Sequence, residues 1–285
     1  MPPEPGVDVF EAQRPRLLRL AYRMLGSSSE AEDVVQEAWL RWDRQAQAEI
    51  GEPAAWLTRV VSRLCLDMMK SARSRRESYP GIWLPEPLVE AEDDDLRADN
   101  LTLTLMLALE RLSPLERAAF LLHDVFGQPL DEVAAVVERS PEAARQLARR
   151  ARAHVRVDQL RYPVARDEGE NIVRAFFEAC RVGDAEALSR MLAEGVTLQS
   201  DGGGKVLAYP NLIRGSKRML RLLLGHASKY GSGMRFERFV MIDGLPGFVS
   251  AMGGQVQTTA LDTEGGKITA IYITRNPEKL ARVVH

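Results

Sequence analysis

The stretch of residues 112–157 constrains the fold more than any other part of the chain, because it marks the ends of three short helices. Ser-Pro pairs at 113–114 and 140–141 each place a favourable N-cap before a proline that suits the first helical turn. A Gly-Gln-Pro break at 127–129 precedes an amphipathic helix over 130–137. The third helix follows a tight turn and is expected to run from the second Ser-Pro pair to about Val157.

The third of these helices has two chemically different sides. Its apolar side carries Ala144, Leu147, Ala151 and Val155. Its basic side carries Arg145, Arg149, Arg152 and Arg156, flanked by Gln146 and Arg150. A short helix, a tight turn and a second, arginine-striped helix are typical of a helix-turn-helix. Guanidinium groups pair well with phosphates and guanine edges, although a solvated basic surface is the alternative interpretation.

The charges of the chain are segregated, so its net charge of −2 says little about partners. Residues 55–76 contain six Lys or Arg and one Asp, and residues 141–166 contain seven Arg and two acidic residues. Between these basic blocks, residues 86–99 hold seven Asp or Glu and one Arg. Two basic blocks separated by an acidic one favour a polyanionic partner, and a length of 285 residues predicts about two domains.

Cys65 and Cys180 both fall in apolar helical patterns, which is typical of reduced core thiols in a cytosolic protein. The first twelve residues lack a basic and apolar leader pattern, and no apolar run approaches a membrane span. We therefore expect a cytoplasmic protein that has no membrane segment, and nothing in the sequence indicates a metal or cofactor.

Residues 8–78 are predicted to be helical, with helices over Val9–Leu25, over Glu30–Arg44 after an N-cap at Ser29, and from Pro53 to about Ser74. Trp39 is expected to lie in the core. An acidic, amide-bearing face on the second helix carries Asp33, Gln36 and Glu37. This face suits docking to a protein, and a merely solvated face is the equal alternative.

The helix from Pro53 interleaves an aromatic residue with basic ones, namely Trp56, Arg59, Arg63, Lys70 and Arg73, with Arg75 and Arg76 just beyond. Aromatic rings stack on unpaired bases while cations follow phosphates, so the pattern favours binding to single-stranded or melted DNA. The alternative is a basic surface with Trp56 in the core.

The segments AEDVVQEAWLRW, EPAAWLTRVVSRLCLDMMKSARSRRE and LSPLERAAFLLHDVFGQPLDEVAAVV with SPEAARQLARRAR together resemble a bacterial sigma factor of the extracytoplasmic-function type. The resemblance covers about residues 10–157. It implies that Asp33, Gln36 and Glu37 dock on the clamp of the RNA polymerase β′ subunit, with a second contact to the β flap. It implies that Trp56, Arg59 and Arg63 contact the melted minus-ten element. It also implies that the minus-thirty-five element is contacted by Glu142, Arg145, Gln146, Arg149 and Arg150. Many members carry Asn where this chain has Arg63.

After the second basic block the pattern changes to helices followed by strands. Helices are predicted at 170–181, at 184–192 and within 212–230, and strands at 235–241, 247–252, 255–262 and 267–274. This order implies an α+β fold in which helices pack on an antiparallel meander. It resembles the SnoaL-like, nuclear-transport-factor-type cone fold.

Three short strings strengthen this second resemblance: WLPEP at 83–87, DGGGK at 201–205 and NPEKL at 276–280. Together they resemble the sigma-factor subgroup with a fused SnoaL-like domain, which implies regulation within one chain and no separate anti-sigma protein. The expected contact residues are Trp83, Leu84, Pro85, Glu86, Pro87, Asp201, Gly202, Gly203, Gly204, Lys205, Asn276 and Pro277. Glycines give an open backbone surface for the linker, or simply a bulge or turn, and Lys205 is placed to pair with Glu86.

The predicted organisation has four parts: residues 1–78 and 106–163 as the two all-helical sigma regions, 79–105 as a linker with a flexible acidic run at 91–99, and 169–285 as the regulatory domain. Two other functions are weighed. One is a helix-turn-helix regulator that does not bind polymerase. The other is a fused small-molecule enzyme using Asp201, Tyr209, His226 or Asp262, but no pair among these has a spacing that demands acid–base chemistry, and fold alone confers no activity.

Overall fold

The computed structural model describes residues 5–45, 50–89, 102–155 and 165–283, with the backbone alone described at 5 and 71–77. It divides into a helical unit, residues 1–77 with 105–159, and a sheet unit, residues 78–104 with 160–285. The acidic run at 91–99 and the predicted helical residues 156–157 lie outside the described residues, so the expectations for them, including Arg156, are not addressed.

Within the residues that the structure describes, the helical unit contains seven α-helices, three of which start at the predicted prolines 53, 114 and 141. They are α1 Pro5–Leu25, α2 Ser28–Asp43, α3 Pro53–Glu77, α4 Leu103–Leu109, α5 Pro114–Phe120, α6 Leu130–Val137 and α7 Pro141–Val155. A π-helical turn, Leu121–Val125, continues α5. The first two residues of α4 belong to the sheet unit.

The predicted N-cap of α2 at Ser29 is wrong, because Ser27 caps this helix. The Ser27 hydroxyl accepts a hydrogen bond from the backbone N–H of Glu30 at 3.3 Å. Gly26, at φ 71°, ends the preceding helix, so the chain re-enters helical geometry directly after Ser27. Ser29 already lies within the first turn, where its side chain cannot cap.

Helices α1, α2 and α3 pack around a core that contains Trp42, which is 1% exposed and donates from its indole N–H to the Gly6 carbonyl at 2.8 Å. Trp39 was expected in the core but is only half-buried, with its ring 5.0 Å from that of Phe10. Bulky residues on the buried stripes of three helices therefore hold this bundle together.

The helix-turn-helix predicted from the two Ser-Pro pairs is confirmed. Ser113 and Glu116 form a reciprocal capping box at the start of α5. Ser140 accepts a hydrogen bond from the backbone N–H of Ala143 at the start of α7. Between α6 and α7, Glu138 takes up a left-handed conformation at φ 54°, which makes the turn tight.

In the part of the chain that the structure describes, the sheet unit contains three α-helices and one six-stranded sheet. The helices are α8 Arg166–Val182, α9 Ala185–Met191 and α10 Ser216–Tyr230. The strands are β1 Leu192–Asp201, β2 Ile213–Arg214, β3 Met234–Ile242, β4 Leu245–Met252, β5 Gln255–Glu264 and β6 Lys267–Thr274, in the order β2-β1-β6-β5-β4-β3.

The predicted meander β3–β6 is confirmed as antiparallel, whereas β1 and β2 were missed. Strand β1 starts directly at the end of α9, and its pairing with β6 is parallel and broken by a register shift between Leu192 and Thr197. Because no turn residue precedes β1 and its pairing is irregular, the sequence pattern did not predict this strand. The sheet is consequently mixed, not purely antiparallel.

The core of the sheet unit lies between the helices and one face of the sheet. Phe177 of α8 meets Phe248 of β4 edge-on, with ring centroids 5.4 Å apart. Cys180 is buried here, and burial raises the pKa of its thiol to about 12. Burial likewise raises the pKa of the Cys65 thiol in the helical unit. Both cysteines are free and buried, as predicted.

Candidate functional site

The acidic face predicted for polymerase docking lies on one exposed side of α2. Asp33, Gln36 and Glu37 are all exposed, while Val34 and Val35 point into the bundle. Glu37 pairs with Arg41 one turn later, at 2.9 Å. The face is therefore available to a partner and is held by a helix whose opposite side is locked in a core.

The basic helix α3 divides its predicted DNA-contacting residues between two environments. Arg59 is exposed, whereas Trp56 is half-buried with its ring 5.7 Å from that of Trp42. Trp56 therefore joins the core and presents only part of its ring to solvent.

Arg63 of α3 is engaged within the helical unit. Its Nη2 donates to the carbonyl oxygen of Ala135 at 2.9 Å and lies 3.3 Å from the Glu138 carboxylate. Both partners belong to the end of α6, in the helix-turn-helix. A residue expected to touch melted DNA thus contacts the other segment that is predicted to bind DNA.

The outward face of α7 carries the residues expected to contact the minus-thirty-five element. Glu142, Arg145, Gln146 and Arg149 are exposed, and Ala144, Leu147, Ala148, Ala151 and Val155 are buried. The pKa of Glu142 is lowered by its own backbone N–H, by the Ser140 hydroxyl and by Arg145. The face is thus a positive surface with one ionised carboxylate at the helix start.

Two of the arginines on α7 are paired within the helical unit. Arg150 contacts Glu116 at 3.1 Å, and Arg152 contacts Asp124 at 2.6 Å. Burial of Glu116 raises its pKa, but hydrogen bonds from Ser113 and the charge of Arg150 outweigh it, so the net shift is downward. The sequence pattern grouped Arg150 with the DNA-contacting residues, and the structure places it at the edge of that surface in an ion pair.

A buried arginine joins the two helical segments of this unit. Arg117, 2% exposed, donates to the carbonyls of Met24 at 2.8 Å and Leu109 at 3.0 Å and pairs with Glu110 at 2.7 Å. The sequence pattern indicates no role for Arg117. A lone arginine on a helix is normally exposed, so only the three-dimensional contacts identify it.

In the sheet unit, the buried carboxylate of Asp201, at the end of β1, holds the linker. The Tyr79 hydroxyl donates to its Oδ1 at 2.7 Å, and the Leu84 backbone N–H donates to its Oδ2 at 2.9 Å. Lys279 pairs with the same Oδ2 at 2.8 Å. Asp201 is fully buried, so its charge is balanced by these donors and by the N–H of Gly203.

Lys279 also binds the linker directly. Its ammonium donates to the carbonyl of Leu84 and lies 4.3 Å from the centre of the Trp83 ring and 4.9 Å from that of Tyr79. Leu84 is 1% exposed. We call Tyr79, Trp83, Leu84, Asp201 and Lys279, with Asn276, the linker clamp. Of the remaining predicted contacts, Pro85 and Pro87 are buried and Glu86 is half-buried.

The glycines of the DGGGK string allow close approach of neighbouring groups. A Cβ at Gly203 would lie 2.4 Å from the Asn276 side chain, and one at Gly204 would lie 2.6 Å from Pro80 of the linker. A Cβ at Gly202 would lie 2.1 Å from the Val206 carbonyl. Both interpretations of the glycines therefore hold, since they form a turn and also the surface against which the linker lies. The partner that the structure gives Lys205 is Glu278, not the expected Glu86.

Asn276 completes the clamp, donating to the Tyr79 hydroxyl at 3.0 Å, while Pro277 is exposed. Tyr79 and Lys279 were missed as individual residues, although Lys279 lies inside the quoted NPEKL string. Tyr79 and Lys279 lie 122 and 78 positions from Asp201 in the sequence, so no local sequence pattern predicts these contacts.

A second linker attachment was missed altogether. Asp243 is buried and has a φ of 44°. Its carboxylate accepts a hydrogen bond from the backbone N–H of Leu88 at 3.2 Å, and its backbone N–H donates to the Leu88 carbonyl at 3.0 Å. Val89 then bridges to Ile242, and Leu103 donates to the Asp243 carbonyl. The Asp-Gly dipeptide at 243–244 signalled a turn but not this attachment.

The four residues considered for an enzyme site are not brought together. Tyr209 and His226 line a cavity of about 1060 Å³ in the sheet unit, whereas Asp201 sits in the linker clamp. Asp262 accepts a hydrogen bond from Thr104 at 2.8 Å and does not line the cavity. Among the residues described, no group of three or more His, Cys, Asp or Glu is arranged to hold a metal, and no helix is long and apolar enough to cross a membrane.

Comparison with known proteins places both helical segments in one family. Residues 9–75 match the model of sigma-70 region 2, and residues 102–155 match that of sigma-70 region 4. The extracytoplasmic-function RNA polymerase sigma factor SigJ of Mycobacterium tuberculosis is 40% identical, with 96% of this chain and 92% of SigJ covered. The probable sigma factor SigI of the same species is 34% identical, over 97% and 95%.

The similarity extends to the whole fold. The crystal structure of M. tuberculosis SigJ superposes with a TM-score of 0.78 at 35% identity, covering 96% of this chain and 98% of SigJ. The predicted fold class, two helical sigma regions followed by an α+β domain, is confirmed.

Proposed function

We propose a self-regulating mode of action for this chain, which belongs to the extracytoplasmic-function sigma factors of RNA polymerase. As a sigma factor it directs the polymerase to promoters. The proposal is that its C-terminal domain, residues 169–285, regulates this activity by holding the linker at 79–105. The observation that carries it is the buried carboxylate of Asp201, which accepts hydrogen bonds from Tyr79 and Leu84 of the linker as well as from Gly203 and Lys279 of its own domain.

The polymerase contact is assigned to the exposed face of α2, within the region 1–78, and is directed at the β′ clamp. The double change Asp33→Lys with Glu37→Lys reverses the charge of that face and should abolish co-purification with core polymerase. Asp43→Lys, a single charge reversal at the exposed end of the same helix, is the control and should bind normally. Normal binding of the double variant would refute this assignment.

The promoter contacts are assigned to two surfaces, with a second polymerase contact to the β flap expected for the region 106–163. Arg59 and Arg63, with the exposed part of Trp56, serve the minus-ten element. Glu142, Arg145, Gln146 and Arg149 serve the minus-thirty-five element, with Arg150 at their edge. Arg149→Ala should reduce binding to a minus-thirty-five duplex by about tenfold or more, since a good base-edge contact contributes about 1–3 kcal/mol.

The sheet unit supports regulation through contacts with the linker alone. The linker clamp and the Asp243 attachment fix residues 79–89 over the end of β1 and the β3–β4 turn. Since both sigma regions are joined by this linker, holding or releasing it changes the conformations they reach. Regulation of this kind needs no separate anti-sigma protein.

The clamp is tested by Asp201→Asn in the full-length chain. This change keeps the shape but removes the charge that balances Lys279, so the Leu84 amide should lose hydrogen-exchange protection and transcription from a cognate promoter should change. Glu278→Gln, which breaks only the exposed pair with Lys205, is the control. Unchanged protection and unchanged transcription in Asp201→Asn would refute the proposal.

No catalytic role is proposed for the C-terminal domain. The described residues that line its cavity include no carboxylate, while the two candidate aspartates are engaged with Tyr79 and Thr104. His226 lacks an acidic partner there, and this favours binding over acid–base chemistry.

A further inference from the structure

The cavity of the sheet unit has the size of a small-molecule site. Its volume of about 1060 Å³ lies at the upper end of the range that holds drug-sized ligands. Its interior is apolar, being formed by Phe176 of α8, Phe248 of β4, and Leu198 and Ile271 of β1 and β6. Leu207, 81% exposed, extends this apolar surface to the mouth. An apolar interior of this size fits an organic molecule better than a bare ion.

The charged groups that line the cavity are all of one sign. Arg221, Lys229 and Arg275 contribute three cations, and no Asp or Glu occurs among the described lining residues. Arg221 and Lys229 are exposed on α10, whereas Arg275 is half-buried after β6. A cavity whose polar lining is cationic and whose interior is apolar favours a ligand with an apolar body and one negative group.

Arg275 has unused hydrogen-bonding capacity. Its Nη1 donates to the Leu207 carbonyl at 2.5 Å and its Nη2 reaches Gln255 at 3.3 Å. Its buried Nε finds no acceptor among the described residues. Buried donors are normally satisfied, so this group is suited to an acceptor that a ligand would bring.

The groups around Arg275 are compatible with an anion. Burial lowers the pKa of the guanidinium, and burial together with the Arg275 charge lowers that of His226, which therefore stays neutral near neutral pH. Burial raises the pKa of the Tyr209 hydroxyl, which keeps it a donor. The His226 and Tyr230 rings lie 4.9 Å apart and add an aromatic wall.

We propose that this cavity binds an apolar organic anion, such as an aromatic carboxylate, with Arg275 as the residue that recognises its negative group. Neither the promoter and polymerase surfaces nor the linker clamp requires such a site. The inference therefore goes beyond the regulatory role proposed above and is tested independently of it.

The test compares two probes of the same shape, naphthalene-2-carboxylate and naphthalene-2-carboxamide, by titration of the full-length protein. The carboxylate should bind at one saturable site about tenfold more tightly than the neutral amide, because only it forms a charge-assisted pair with Arg275. Equal affinities, or no saturable binding of the carboxylate, would overturn the proposal.

Variants locate the binding. Arg275→Gln should weaken carboxylate binding about tenfold while changing amide binding less than about twofold. Arg218→Gln, an equal change on the exposed surface of α10 outside the lining, is the control and should change neither. If Arg275→Gln fails to fold, Arg275→Lys keeps the charge and should retain the preference for the carboxylate.

A filled cavity provides the last check. Ile273→Trp places a large ring in the cavity from β6 and should abolish binding of both probes. Full binding of the carboxylate by this variant, or by Arg275→Gln, would place the site elsewhere and reject the inference.

Discussion

The two units each use one buried charge to join segments that are far apart in sequence, but they use it differently. In the helical unit, Arg117 donates to the carbonyls of Met24 and Leu109, which are fixed parts of the helical framework. In the sheet unit, Asp201 accepts from Tyr79 and Leu84, which belong to a linker. The first charge completes a core, and the second holds the segment that the proposed regulation would release.

This difference separates contacts that belong to the core of the helical unit from contacts of the sheet unit that the proposed regulation would release. Loss of Arg117 removes the donor to the carbonyls of Met24 and Leu109, two buried residues, and the charge that pairs with Glu110. Under the proposed regulation, the linker would leave Asp201, and solvent would then reach the carboxylate. The same kind of buried charge would therefore contribute stability in one unit and a releasable contact in the other.

The largest expected effect is on the stability of the helical unit. Arg117→Met should lower the free energy of unfolding by about 3–5 kcal/mol, because it removes one partner of a buried ion pair and leaves acceptors unsatisfied. Urea denaturation followed by circular dichroism measures this change. Arg111→Met, at an exposed position nearby, should cost less than about 0.5 kcal/mol. Equal effects of the two changes would contradict the role of Arg117.

The next effect tests the fit of the clamp. Gly203→Ala should destabilise the clamped state by about 2–4 kcal/mol, because the alanine must adopt φ 62° and its Cβ would overlap Asn276. The exchange rate of the Leu84 amide reports the loss. Gly265→Ala is the matched control, since its φ of 56° imposes similar strain with no atom in the way. Similar linker exchange in both variants would argue against close packing at Gly203.

A smaller effect is expected when the hydroxyl of Tyr79 is removed and its ring is kept. Tyr79→Phe should weaken the clamp by about 1.5–2 kcal/mol, since it deletes a hydrogen bond to a charged acceptor and keeps the ring beneath Lys279. Leu84 amide exchange again measures it, and Tyr22→Phe in the helical unit should leave that exchange unchanged.

The same tyrosine predicts a pH dependence. Burial, followed by the hydrogen bond and charge of Asp201, raises the pKa of Tyr79 above its ordinary value of about 10. A raised folded-state pKa contributes stability that is fully present below pH about 10 and is lost as the pH rises towards the folded pKa. Linker protection should therefore decline above pH about 10 in the natural chain, with no matching decline in Tyr79→Phe.

The smallest effect sharpens the comparison within the helical unit. Glu138→Gly should stabilise the unit by about 0.5–1 kcal/mol, because glycine adopts the left-handed turn at φ 54° without strain. The change also removes the carboxylate that faces Arg63, an exposed pair that contributes little. Thermal unfolding measures the net result, and a marked destabilisation would mean that the pair with Arg63 outweighs the strain.

Local signals predicted the helical half of this molecule well. Serine caps before proline fixed the starts of α5 and α7, and apolar spacing identified the buried face of α7. The misplaced cap at Ser29 lay only two residues from the true one. Within the sheet unit the same kinds of signal found β3–β6, because turn residues separate these strands, but not β1, which follows a helix without a break.

Long-range polar contacts could not be predicted in the same way. The sequence strings pointed to the linker and to Asp201, but the donors Tyr79 and Lys279 are identified only when the chain is folded. Arg117 and Asp243 illustrate the same limit, because a buried charge has the same local sequence as an exposed one. The cavity around Arg275 is lined by residues of seven helices and strands and has no sequence signature.

One carbonyl oxygen, that of Asp201, accepts the backbone N–H groups of both Arg275 and Asn276, at 2.7 and 3.1 Å. The side chain of the first lines the cavity, and that of the second holds the Tyr79 hydroxyl. Neighbouring backbone N–H groups thus connect the wall of the cavity to the linker clamp. If the proposed ligand displaced Arg275, the shift would pass through one peptide bond to the residue that holds Tyr79, without a separate signalling protein.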